Sequence, residues 1–141
     1  MSQKNQMTGN AALYHVACKL SRLGWNVMLT IRNAQGADMY AASPDETVVL
    51  PIQSKGLKKR DSVPLGKDLD RLRSDWWVIT VRAMDVEPVC YIMTLEEVKA
   101  RATQDTKGSW WLCPAIPKYA HITYETDEYR EAWHRLDPIR N

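Results

Sequence analysis

The 141-residue chain has the length of one domain, expected over residues 1–141, and is long enough to bury a core. Hydrophobic residues at 45% and charged residues at 26% are ordinary for a soluble globular protein. The apolar runs are too short for a membrane-spanning helix, and the polar opening "MSQKNQMTGN" lacks the apolar stretch of a secretory signal, so a cytoplasmic protein is expected. A net charge of +2 does not by itself mark a nucleic-acid binder, and three cysteines (Cys18, Cys90, Cys113) with no CxxC spacing argue against a disulfide framework or a zinc site and read as buried free thiols.

In chain order, "TGNAALYHVACKLSRLGWNV" places Ala12, Leu13, Val16, Ala17, Leu20 and Leu23 at helical spacing, with Gly24 as the stop. A strand follows over Trp25–Ile31, then a turn "RNAQG", a second strand "ADMYAAS", a turn "SPDE" and a third strand "TVVLPIQSK". The stretch from Lys55 to Asp75 reads as a surface loop with a short helical turn. "WWVITVRAM" and "DVEPVCYIM" read as a fourth and a fifth strand. Thr94 and Glu97 form a capping box, with Met93 and Val98 at staple spacing, for a helix over Leu95–Ala102. "SWWLCPAIPKYAHITY" predicts a short strand plus irregular chain. "TDEYREAWHRL" predicts a closing helix with Thr126 as its N-cap. The expected class is α/β (α+β), with a mixed sheet of about five strands flanked by helices.

Chemistry concentrates on the third strand. Alternation puts Val49, Pro51, Gln53 and Lys55 on one face, so Gln53 and Lys55 project side by side. Asp38 lies on the preceding strand of the hairpin. A carboxylate, an amide oxygen and an ammonium can therefore converge at one end of a sheet, a grouping suited to a hard divalent cation and a phosphate. Taken singly, Asp38 is an ordinary turn residue and Gln-x-Lys a common triplet; their order and spacing behind an amphipathic helix carry the reading.

"GADMY" followed by "LPIQSK" resembles the metal-binding core of the PD-(D/E)XK, or restriction endonuclease-like, nuclease superfamily. The closest pattern is that of small bacterial Mrr-like and Holliday-resolvase-like members, in which glutamine replaces the usual acid. The likeness runs from Gly9 to Lys55 and weakens beyond Trp77. It implies a three-layer restriction endonuclease-like core and a Mg²⁺-dependent (or Mn²⁺-dependent) phosphodiester hydrolase acting on DNA. Asp38, Gln53 and the Ser54 backbone carbonyl would hold the metal, and Lys55 would position or activate the attacking water. It also implies a glutamate on the first helix, where Leu13 stands; His15 is about 200° further round and cannot replace it, while Asn10 could reach the site only through water. The basic run Lys58, Lys59 and Arg60, with Lys67, would then contact the nucleic-acid backbone. Partners are expected to be DNA, a homodimer mate or another protein, and no membrane. The alternative is a nuclease fold retained as a binding protein (a subunit, immunity protein or regulator), because Leu13 and Gln53 both remove negative charge that would attract Mg²⁺. His15, His121 and His134 lack metal-ligand spacing, and the Trp76-Trp77 and Trp110-Trp111 pairs read as packing residues, one of each pair facing outward.

Overall fold

The computed structural model describes residues 3–30 and 36–137. Helix α1 (Gln3–Arg22) is longer at its start than the periodic segment implied. It buries Ala12, Val16 and Leu20, one stripe at i, i+4 spacing, and leaves Tyr14 and Cys18 in solvent. Cys18 is thus an exposed thiol, contrary to expectation; Cys90 and Cys113 are buried as expected. Gly24 ends the helix at φ +100°, and Trp25 N–H returns to the Leu20 carbonyl at 3.0 Å.

Five strands form the main sheet: β1 (Asn26–Leu29), β2 (Met39–Ala42), β3 (Val49–Leu57), β5 (Trp76–Val81) and β6 (Val89–Thr94), in the order β1-β2-β3-β5-β6. Only the β3–β5 pair is parallel. The predicted first strand is shorter than expected, and its Ile31 and residues 32–35 of the predicted turn lie outside the described residues, while the last turn residue, Gly36, takes φ +101°. Alternation gives the sheet two apolar faces. Ile52 and Val78 join Met39, Ala41 and Ile92 under α1; Trp77, Ile79 and Val81 point the other way with Tyr91 and Met93.

That second face is covered by helix α2 (Leu95–Arg101) and by a second sheet, of which only the short strand in "SWWLCPAIPKYAHITY" was expected. β4 (Val63–Gly66) pairs with β8 (Trp110–Leu112), which pairs with β7 (Thr103–Gln104). The segment expected to be loop therefore contains a strand, with Val63 and Leu65 buried and Pro64 and Gly66 outward, followed by the short helical turn that was expected, Leu69–Arg71. α2 begins on the full capping box of Thr94 and Glu97, and Met93 and Val98 are buried in one cluster. In the tryptophan pairs, Trp76 and Trp77 pack on opposite faces of the main sheet, and Trp110 packs against the second-face core.

Of the predicted closing helix only a short 3-10 turn, Trp133–Leu136, forms. The backbone before it is drawn onto the free edge of β6: Ile92 N–H donates to the Tyr129 carbonyl, and Glu131 N–H to the Cys90 carbonyl. Tyr129, Ala132 and Leu136 are buried, and Glu131 takes φ +48°. Edge pairing and burial outweigh helix propensity here, and covering that edge removes an open template for intermolecular pairing. Thr126 Oγ1 caps nothing; it is buried without a hydrogen-bond partner. Among the described residues no helix is long and apolar enough to cross a membrane.

Candidate active site

The site lies where β2 and β3 part. The ladder pairs Met39 with Ile52 and runs no further, so β3 continues beyond Ile52 with a strand partner on the β5 side only. Asp38 sits at the split. Its N–H donates to the Ile52 carbonyl at 2.9 Å, one position out of step with the ladder, while its carbonyl accepts from Thr30 N–H at 3.0 Å. This local distortion brings the carboxylate to β3: Asp38 Oδ2 accepts from Ser54 N–H at 2.8 Å.

That bond fixes the rest of the geometry. In a strand the N–H and C=O of one residue point to the same side. The Ser54 carbonyl therefore faces the same open edge as the Asp38 carboxylate. The neighbouring side chains, Gln53 and Lys55, project from the sheet face that carries their parallel partners Trp77 and Ile79. Both are half-buried. The structure thus brings Asp38, Ser54, Gln53 and Lys55 to one fork, and Asp38 acts electrostatically on Lys55.

Lys55 forms no ion pair with Asp38 or any other described carboxylate. Its Nζ lies 5.6 Å from the centroid of the Trp77 ring. Burial pushes its ammonium below the ordinary lysine range, and the Asp38 charge opposes the shift without cancelling it. The Trp77 contact could not be read from the sequence, because it depends on a parallel register that pairs residues 24 positions apart.

The donor set consists of hard oxygens: the Asp38 carboxylate, the Gln53 amide and the Ser54 carbonyl. These fit Mg²⁺ or Mn²⁺, although with one carboxylate rather than two. Among the described residues no group of three or more His, Cys, Asp and Glu gathers anywhere. Leu13, where the resemblance implied a glutamate, packs against the core of Val16, Leu20 and Ile52. Asn10 is exposed, and the helix residues closest to the far end of β3 are Thr8, Gly9 and Ala12, which close on Gly56.

The basic residues after Lys55 divide. Lys58, Lys59 and Lys67 are exposed and form no ion pair among the described residues. Arg60 is engaged: its Nε and Nη2 donate to Glu125 at 2.8–3.0 Å and its Nη2 also to the Ala115 carbonyl at 3.2 Å. His121 and His134 are exposed. His15 is half-buried, and burial lowers the pKa of its ring, assisted by Lys19.

Comparison with solved structures agrees with this architecture. The chain superposes on a bacterial homing endonuclease, I-Ssp6803I, with a TM-score of 0.59 and 19% identity, over 94% of this chain and 91% of that one. It superposes on Hjc, a Holliday junction resolvase from Archaeoglobus fulgidus, with a TM-score of 0.51 and 11% identity, over 76% of this chain and 90% of that one. The fold is restriction endonuclease-like. No protein-family model matches the sequence, and no curated protein matches it. At these identities the likeness establishes the fold alone.

Proposed function

We propose that this chain is a metal-dependent phosphodiester hydrolase acting on DNA. One observation carries the reading: the Asp38 carboxylate is bonded to Ser54 N–H at the β2–β3 split, and one residue further along the same strand stands a half-buried Lys55 that forms no ion pair among the described residues. An ordinary structural lysine at that depth would be expected to pair with the carboxylate beside it. Asp38, Gln53 and the Ser54 carbonyl would hold Mg²⁺ or Mn²⁺, and the ion would polarise the scissile phosphate and acidify a bound water. Asp38 is held by Ser54 N–H on one oxygen, leaving the other for a ligand. Lys55 would position the attacking water and stabilise the charge that develops on the phosphate. Lys58, Lys59 and Lys67 would hold the backbone of the substrate without reading its sequence. Support for DNA as substrate comes from the two structural neighbours, an endonuclease and a Holliday junction resolvase.

The test is Mg²⁺ and Mn²⁺ binding by calorimetry, with nicking of plasmid and branched oligonucleotide DNA, for the wild type, Asp38→Ala and Lys55→Met. Metal binding lost in Asp38→Ala, with cleavage lost in both variants, is expected. A second reading, a nuclease fold that binds DNA or a protein without cutting, is favoured by the core packing of Leu13 and the single carboxylate. A folded wild type with no metal binding and no nicking would select it.

A further inference from the structure

We propose that Trp77 is a positioning residue for Lys55: its ring face, anchored within the core, holds the lysine ammonium at the β2–β3 fork. The use of that position in cleavage rests on the nuclease reading above; the position itself does not.

Lysine is poorly suited to standing still. Four flexible methylenes carry a point charge, and fixing them costs rotamer entropy. Proteins usually fix such a group with a carboxylate. At this fork that solution would be self-defeating, because an ion pair with Asp38 would occupy both the carboxylate oxygen a cation needs and the ammonium a phosphate needs. The chain places an aromatic ring there instead. Parallel pairing sets Gln53 opposite Trp77 and Lys55 opposite Ile79, all on one face, and the lysine Nζ lies 5.6 Å from the ring centroid. A ring face attracts the cation while accepting none of its N–H bonds in the manner of a carboxylate, so the three donors remain available.

The ring is itself immobile. Trp77 is 2% exposed, and its Nε1–H donates to the Arg73 carbonyl at 2.9 Å, which fixes the rotation of the indole. Val63, Leu65 and Leu112 of the second sheet belong to the same core cluster. That sheet therefore has a role at the site although it contributes no chemical group: it helps pack the platform on which the lysine rests.

The bland alternative is that the lysine stem merely covers apolar area on the ring. Trp77→Met keeps an apolar side chain and removes the π face; Trp77→Phe keeps a π face and loses the indole N–H. The direct readout is the NMR signal of the Lys55 Hε protons, assigned by its absence in Lys55→Met. In the wild type it is expected upfield of the exposed lysines through the ring current. The shift should be retained in Trp77→Phe and absent in Trp77→Met. Cleavage follows: kcat falls about tenfold in Trp77→Met with KM unchanged, and stays within about threefold of wild type in Trp77→Phe. A Lys55 signal coincident with the exposed lysines in the wild type overturns the proposal, and that spectrum decides the contact even if the variants do not fold. A folded Trp77→Met with wild-type kcat also overturns it. A shifted signal in a wild type that cuts no DNA sinks the nuclease reading and leaves the platform standing.

Discussion

Lys55 and Arg60 stand five residues apart on one continuous stretch, and the structure treats their charges in opposite ways. Arg60, near the surface, is fully answered: Glu125 takes its guanidinium in two directions and the Ala115 carbonyl takes a third hydrogen bond. Lys55, deeper in the sheet, forms an ion pair with no carboxylate among the described residues, although Asp38 is close enough to act on it. For stability alone the arrangement would be reversed, since unpaired charge costs more the further it is from water. A charge held at depth with no ion pair among the described residues costs stability, and such costs collect at sites that perform chemistry, which is the role proposed for Lys55.

Removing the unpaired charge tests that contrast most severely. Lys55→Met should lower cleavage by about 10²–10³-fold while raising the midpoint of urea unfolding. The pH dependence has a definite sign. Because the ammonium is disfavoured in the folded chain, its cost is fully present below its folded pKa and is relieved as pH rises towards the unfolded value of 10.5. The stability advantage of Lys55→Met should therefore shrink in alkaline solution, as urea titrations at several pH values would show. A variant that is less stable than wild type at neutral pH, and that still cuts, would make Lys55 an ordinary core residue.

The helix side of the same strand is limited by space rather than charge. A Cβ on Gly56 would lie 2.6 Å from the Ala12 Cβ and 2.9 Å from the Thr8 carbonyl oxygen. The backbone oxygen cannot swing aside, so Gly56→Ala must push α1 away from β3. We expect a loss of about 1–3 kcal/mol in chemical denaturation. The double change Gly56→Ala with Ala12→Gly should recover part of it, because the closer of the two contacts is then gone. No recovery would mean that the Thr8 carbonyl alone sets the spacing.

How much of this was legible in the sequence depended on whether local pattern or distant pairing decided each element. The stripe Ala12, Val16 and Leu20, the Gly24 stop and the Thr94–Glu97 box are local, and each appears where the spacing put it. The order Asp38, then Gln53 and Lys55, was legible as a resemblance, but the Ser54 N–H bond that draws Asp38 to β3 was not, since it depends on a one-residue distortion of the ladder. β4 left only a faint trace: Val63 and Leu65 alternate with Pro64 and Gly66, and the proline and glycine mask the period-two pattern. The segment from Thr126 to Leu136 misled in the other direction. Its helical pattern is real, yet β6 needed a neighbour along its edge, and Tyr129 and Glu131 supply backbone to it. Arg60 could not be separated from Lys58 and Lys59 either, because its partner lies 65 residues away.

That last distinction yields the subtlest test. Burial pushes the Glu125 carboxyl up, but the Arg60 hydrogen bonds, the Ala115 N–H and the Arg60 charge outweigh it and hold the group below the ordinary carboxylate range. Its stabilising contribution is therefore present above the unfolded value of 4.5 and is lost as pH falls through the lower folded value. Glu125→Gln and Arg60→Ala should each lower the urea midpoint at neutral pH, by less than Gly56→Ala does, with the difference from wild type narrowing in acid. Neither should alter the salt dependence of DNA binding. Lys58→Gln and Lys59→Gln should do the converse, leaving the urea midpoint in place and each lowering the slope of log affinity against log salt by about one. If Arg60→Ala instead lowers the slope as the lysine variants do, the Glu125 clamp must open when DNA binds, and the division between a held arginine and free lysines would describe the unbound chain alone.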